Sequence, residues 1–276
     1  MASSPTPISF LSDFGLNDEF VGVVHGVIAR LAPEVRVIDI THGIEQGAVR
    51  SGALSLLRAV QYLPDGVVLA VVDPGVGTAR RAIALETVRG YFVGPDNGLL
   101  SPAVAMVGGA TRCHALENSE FMIPSAGATF DGRDRFAPAA AMLASGQAAL
   151  EDLGPEVDPA ALTPMLLPLP EIEAGAVVGA TWWIDHFGNV QTNVGPDDLA
   201  SIGLGLGDQI AVTIGSTAHE LRLVAAYGDV PTGNPMLIVD SQGLVALSVR
   251  DGRADQALQL AIGRPVTFQS AQAESS

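Results

Sequence analysis

Two segments of this chain bring acidic and basic side chains together at short spacing. In the first, Asp73 is followed by Gly75-Val-Gly77-Thr-Ala, a glycine turn that returns Arg80 towards it. In the second, Thr129-Phe-Asp-Gly-Arg-Asp134 sets three charged groups within four residues. An arginine beside a carboxylate is either a structural pair or part of a polar crevice, since the guanidinium fork matches a carboxylate in both settings. Asp134 and Arg133 read as the start of a helix, with Asp134 as its cap and Arg133 exposed. Asp131 is harder to dismiss, because it precedes Gly132, whose missing Cβ lets a ligand or backbone come close. A third segment, Trp182-Trp-Ile-Asp-His-Phe-Gly-Asn189, combines aromatic rings, a carboxylate and an amide at a strand-to-turn junction. Trp182 and Trp183 point to opposite faces of such a strand, which places at least one in the core. Asp185, Phe187 and Asn189 suit a flat heterocycle: a ring stacks on its face, and an amide reads its edge with one donor and one acceptor.

Composition removes several other chemistries. The chain has 276 residues, 30 acidic and 14 basic, for a net charge of −16. Every basic residue is an arginine. Without lysine there is neither a phosphate-binding loop lysine nor a pyridoxal Schiff base. Gly75-Val-Gly77 begins like a dinucleotide fingerprint, but Arg80 replaces the third glycine and a strand follows, so no Rossmann cofactor site is expected. Cys113 is the only cysteine, which excludes an internal disulfide and a cysteine-rich zinc site. The histidines, His25, His42, His114, His186 and His219, show no metal-ligand spacing, and His25 reads as a packed or capped helix residue; no metal is expected. The acidic balance argues against nucleic acid as a partner. Neither a signal-peptide pattern nor a membrane-length apolar run is visible, so a cytoplasmic protein without membrane attachment is expected.

Hydrophobic residues make up 48% and charged residues 16%, with mean hydropathy +0.34, enough for substantial cores. Up to about residue 150 the pattern alternates. Strands are expected at 8–14, 35–41, 67–73, 81–88 and 91–93, and helices at 18–31, 48–63 and 135–145, the last with Pro138 in its first turn. Continuous apolar strands between helices mark a mostly parallel sheet covered on both faces, an α/β fold. Asp13, Asp39 and Asp73 fall at strand ends, where open parallel sheets bind ligands; the alternative for each is a helix cap. Five prolines between 154 and 170 read as an extended linker. Short strands follow at 177–184, 209–214, 219–224, 236–239 and 244–249, then a short helix near 255–260, as in a small barrel or sandwich. The expected division is an N-terminal α/β domain at 1–153, a proline-rich linker at 154–174 and a C-terminal β domain at 175–276.

Six motifs in order complete the picture: Ser12-Asp-Phe-Gly…Asp18, Asp39-Ile-Thr-His42, Val72-Asp-Pro-Gly-Val-Gly-Thr78, Gly94-Pro-Asp-Asn-Gly98, Thr129-Phe-Asp-Gly-Arg-Asp134 and Ile184-Asp-His-Phe-Gly-Asn189. Together they resemble the S-adenosyl-L-methionine hydroxide adenosyltransferase family, relatives of the fluorinating and chlorinating enzymes. The resemblance implies an α/β domain followed by a C-terminal β-barrel. It also implies a homotrimer with each site shared between subunits, and hydrolysis of S-adenosyl-L-methionine to adenosine and L-methionine. It places Asp13 on the ribose hydroxyls, Asn189 on adenine, and Phe130, Phe187 and Tyr227 as stacking rings. Asp185 and Ser241 then hold the methionine amine and carboxylate, with Asp18 as a further substrate contact. Asp73 and Arg80 occupy two of the three positions that the family hydrolases use around the attacking water. At the third, this chain carries Asp131 where those hydrolases have histidine.

The implied chemistry suits the residues. A neutral thioether leaves a sulfonium without help from an acid, and a carboxylate, Asp73 or Asp131, can accept the proton of the attacking water while Arg80 holds it. No cofactor is expected, S-adenosyl-L-methionine being the substrate. Two other readings remain open: a halogenase of the same fold, disfavoured by the carboxylates facing a bound halide, and a protein that binds S-adenosylmethionine or adenosine without turnover.

Overall fold

The computed structural model describes residues 5–271. The first four residues, the start of the stretch read above for a targeting signal, lie outside it. The chain divides into two compact units, residues 1–165 and 166–276.

Strands β1 (Ile8–Ser12), β2 (Val37–Thr41), β3 (Gly66–Val71), β4 (Ala82–Thr87), β5 (Gly90–Pro95) and β6 (Arg112–Ala115) form one sheet in the first unit, in the order β2-β1-β3-β5-β4-β6. The pairings from β2 through β5 are parallel, and β4 and β6 add antiparallel strands at one side. Alternate residues of one strand serve opposite faces, as a two-residue period requires. Ile8, Phe10, Val67 and Leu69 pack on one side with helices α1 (Phe20–Leu31) and α4 (Ala137–Ser145). Leu11, Val68 and Ala70 pack on the other with α2 (Val49–Val60) and α3 (Ser101–Met106). This is the doubly covered, mostly parallel sheet that the continuous apolar runs imply.

In the second unit, β7 (Glu171–Glu173), β8 (Ala176–Ile184), β9 (Val190–Thr192), β10 (Gln209–Ile214), β11 (Thr217–Val224), β12 (Pro235–Val239), β13 (Val245–Val249) and β14 (Pro265–Ser270) join in one sheet. It closes because β8 pairs with β14 through its first half and with β9 through its second. The open choice between sandwich and barrel is thereby resolved as a barrel, filled by Val177, Ile210, Leu247 and Phe268. Helices α5 (Pro196–Ser201) and α6 (Ala254–Ala257) lie in its connections.

The short elements β6, β7, β9, β14, α3 and α5 are absent from the sequence reading. Val-Gln-Thr of β9 has no periodicity of its own and becomes a strand through its partners β8 and β13. The proline-rich run is also more than a tether. Val157 N–H donates to Cys113 O at 2.8 Å, and Thr163 N–H donates to Asp96 Oδ1 at 2.7 Å, so residues 155–165 strap the first unit. Pro168, in the second unit, accepts from Asn193 Nδ2. Among the described residues no helix is long and apolar enough to cross a membrane.

Candidate active site

The strand ends of β1 and β3 and the loop before α4 surround a hollow of about 680 Å³ in the first unit. Asp13 follows β1 directly. Its N–H extends the ladder to Val71 O, and its Oδ2 accepts the Gly47 N–H at 2.8 Å. Gly47 adopts φ 72°, a conformation that favours glycine, to aim that N–H. Burial pushes the Asp13 carboxyl above its ordinary range, and the Gly47 hydrogen bond only partly offsets it.

Asp73 lies just past β3 and lines the same hollow. Arg80 Nε donates to both of its oxygens, at 3.0 and 2.9 Å, and Arg80 Nη2 bonds both Asp73 and Asp131. All three side chains are at least nine-tenths buried. Burial alone would lower the Arg80 pKa, but its two carboxylate partners outweigh that and raise it. The Phe136 ring packs 5.3 Å from the guanidinium carbon. A Cβ at Gly75 would stand 3.2 Å from Arg80 Cγ, so the turn and the arginine stem are closely packed.

Asp131 approaches from a different side. It lines a neighbouring hollow with Asp134 and Arg135, and Arg135 Nε lies 3.3 Å from its Oδ1. Asp134 is no helix cap, which corrects the sequence reading. A π-helical turn, Gly132–Phe136, precedes α4, so Asp134 sits inside the helical run and binds Arg133 Nε at 2.6 Å. Arg133 is partly exposed but not free, and its guanidinium also covers Phe130.

Phe130 stands edge-to-face with Phe14 at 5.7 Å and with Phe20 at 5.0 Å, forming an aromatic wall of the Asp13 hollow. Phe14 and Phe20 were not among the sequence candidates. Phe14 follows Asp13 within the first motif, a signal that could have found it. Asp18 also lines the hollow and is exposed, with no ion pair among the described residues.

The second unit gathers part of its candidate set on one turn. Asp185 accepts the Asn189 backbone N–H at 2.9 Å and the Asn189 side-chain Nδ2 at 2.8 Å. That orients the amide and leaves its oxygen available. Gly188, at φ 86°, is required here because a Cβ would come within 2.7 Å of Arg253 Cβ. Phe187 projects from the turn, 73% exposed. Tyr227 starts a separate 3-10 turn, and Ser241 lies exposed on the β12–β13 turn. Thus Asp185, Phe187 and Asn189 are brought together, while Tyr227 and Ser241 occupy other loops.

Asp39 differs from its two companions. It sits within β2 and meets His25 and His42, not the hollow. The more apolar hollow beside β4 and α3 has one charged lining residue, Asp96, already held by Arg81 and Thr163.

The chain is similar to known proteins. Residues 8–154 match the SAM hydroxide adenosyltransferase N-terminal domain, and residues 179–267 match its C-terminal domain. The chain is 47% identical over 261 residues to a protein of Salinispora tropica named (R)-S-adenosyl-L-methionine hydrolase, covering 94% of this chain and 97% of that one. It is 41% identical to one of the same name from Thermus thermophilus, covering 94% and 98%. A fluorinase of an Actinoplanes species is 28% identical, covering 87% and 90%. Among solved structures, an uncharacterized conserved protein from Thermotoga maritima superposes with TM-score 0.87 at 35% identity, covering 95% of this chain and 99% of that one. The chain belongs to the SAM hydroxide adenosyltransferase family.

Proposed function

We propose that this family member hydrolyses S-adenosyl-L-methionine to adenosine and L-methionine. The observation that carries the reading is the buried Asp73–Arg80 pair, whose Asp73 lines the hollow that also holds Asp13. The hydrolase relatives of 41% and 47% identity support it through their names.

In this reading the water oxygen attacks the ribose 5′ carbon in line with the C–S bond. The C–S electron pair leaves with sulfur, converting the sulfonium to the neutral thioether of methionine, so no general acid is needed. The water proton passes to Asp73 and then to solvent. Such a positioned acceptor typically contributes ~10²–10⁴-fold, and in-line placement adds an orientation effect. Arg80 fixes Asp73 through Nε and Nη2; its Nη1 makes no hydrogen bond among the described residues and can donate to the water. Asp131 then acts as a positioning residue, holding Arg80 from the side of the second hollow.

Asp13 accepts hydrogen bonds from the ribose hydroxyls, Phe130 stacks on the nucleoside, and Asp18 binds the substrate further out. Asn189 reads adenine, helped by Phe187 and Tyr227, while Asp185 and Ser241 hold the methionine amine and carboxylate. The reaction calls for no metal or cofactor, and the protein works in the cytoplasm on a small molecule, without nucleic acid or membrane. We place the site between subunits of a homotrimer, where one copy supplies Asp13 and another Asn189. A halide is disfavoured at the Asp73 carboxylate, since fixed anions repel it in a site screened from water.

Incubation of the pure protein with S-adenosyl-L-methionine, with and without chloride, tests this. Adenosine and methionine in equal amounts, unaffected by chloride, are expected; 5′-chloro-5′-deoxyadenosine indicates a halogenase, and unchanged substrate a binding protein. Mixing Asp13→Ala with Asn189→Ala subunits should restore activity; silence despite proven subunit exchange removes the shared site.

A further inference from the structure

The fold brings together three residues that the chain keeps apart: His25 on α1, Asp39 on β2, and His42 just beyond it. Asp39 Oδ1 lies 2.9 Å from His25 Nε2 and 3.1 Å from His42 Nε2. All three potential ligand atoms fall within 4.8 Å of one another. The group shares no residue with the Asp13 hollow.

His42 is the most restrained of the three. The residue is 5% exposed, and its buried Nε2 faces Asp39 Oδ1 at 3.1 Å in a contact too poorly aligned for a good hydrogen bond. Its other nitrogen, Nδ1, lies 2.7 Å from Ser12 Oγ. If Nδ1 carries the proton and donates it to Ser12, Nε2 presents a bare lone pair towards Asp39. A partner on the second ring nitrogen is what metal-bound histidines ordinarily have, because it fixes the tautomer and the ring orientation. Phe10, 4.6 Å from the His42 ring, further restrains it.

We propose that His25, Asp39 and His42 form a binding site for a single divalent transition metal ion of the zinc class. Two imidazoles and a carboxylate suit that class better than calcium or magnesium, which prefer oxygen ligands. The spacing fits as well: zinc bonds of about 2.0–2.1 Å in a tetrahedron place neighbouring ligand atoms about 3.3 Å apart. The observed separations from Asp39 Oδ1 are close to that. Asp39 and His25 are partly exposed, so the ion can enter and take water as its fourth ligand. Bound there, it would tie α1 to the end of β2. It would also brace the Asp13 loop, because Gly15 N–H donates to His42 O and Phe14 N–H to Ser12 Oγ.

Equilibrium dialysis of the full chain against zinc(II), read by mass spectrometry of the metal, tests the site. One zinc per chain is expected. His25→Ala and Asp39→Asn, both at accessible positions, should each weaken it more than about 100-fold, beyond the loss from a supporting partner alone. Ser12→Ala should weaken it about 10–100-fold. Cobalt(II) should develop visible ligand-field bands that the same two ligand variants remove. Retention of zinc with wild-type affinity in both ligand variants, or no uptake at micromolar zinc by chain whose folding is confirmed by circular dichroism, overturns the proposal.

Discussion

The guanidinium of Arg80 stands between Asp73 and Asp131, with Nε turned wholly to Asp73 and Nη2 shared by the two carboxylates. One cation therefore organises two buried anions that arrive from separate segments. Its removal leaves the buried Asp73 without a cation and Asp131 with only the partly exposed Arg135, and a buried pair broken from one side typically costs about 3–5 kcal/mol. Arg80→Ala should lower unfolding free energy in urea by that order and abolish turnover. Asp73→Asn should cut kcat by about 10²–10⁴-fold with little change in KM, the signature of lost action on water. Asp131→Asn should cost less, since Arg80 keeps its Asp73 contacts, and Asp131→His should retain more activity than Asp131→Asn. Equal kcat losses for Asp73→Asn and Asp131→Asn would place both carboxylates on the water.

In the proposed mechanism Asp13 sets an acid limit on substrate binding. Burial raises its pKa above the ordinary 3.8, and the ionised form is the one that accepts ribose hydroxyls. KM should therefore rise as pH falls through that raised value. The stability sign is opposite: a raised native pKa favours folding most below 3.8, and that contribution is lost as pH rises through the native value. Asp13→Asn should thus bind nucleoside poorly at neutral pH without lowering Tm. A variant that loses both would mean that Asp13 is chiefly structural.

Gly132 leaves space for the aromatic wall. A Cβ at this position would stand 2.9 Å from Phe14 Cζ and 3.1 Å from Phe130 Cε2. Gly132→Ala should cost about 1–3 kcal/mol by overpacking and raise KM through the displaced rings. Gly22→Ala is the control, because nothing stands within 4 Å of its Cβ position. It lies within α1, where alanine is favoured by about 1 kcal/mol. Matching Tm values for the two variants would show that the wall yields freely.

Cys113 should be chemically silent. It is fully buried, and burial with the nearby Asp96 carboxylate pushes its thiol up to about 12. At pH 8 the native protein should therefore take up no iodoacetamide, and the denatured chain should take up one equivalent per molecule. Rapid labelling of native protein would reveal local opening of β6.

Much of this protein was legible before folding. The apolar runs at Ile8–Ser12 and Gly66–Val71 announce covered strands. Their period determines which side chains face which helices, so Phe10 and Leu11 part to opposite faces. The Asp73–Arg80 pairing was legible for the same reason, since a tight glycine turn leaves it little freedom. Composition alone removed lysine chemistry and disulfides.

Tertiary structure decided the rest. Asp131 meets Arg80 only because the segment before α4 packs beside the β3 loop. Val190–Thr192 carries no strand pattern, yet pairing with β8 and β13 makes it one. His25, Asp39 and His42 have no metal spacing in the chain and converge because α1 packs on the sheet that carries β2. Local periodicity specifies the direction of a side chain relative to its own element. Which distant groups it meets depends on strand order and loop closure, and these follow from burying the whole core at once.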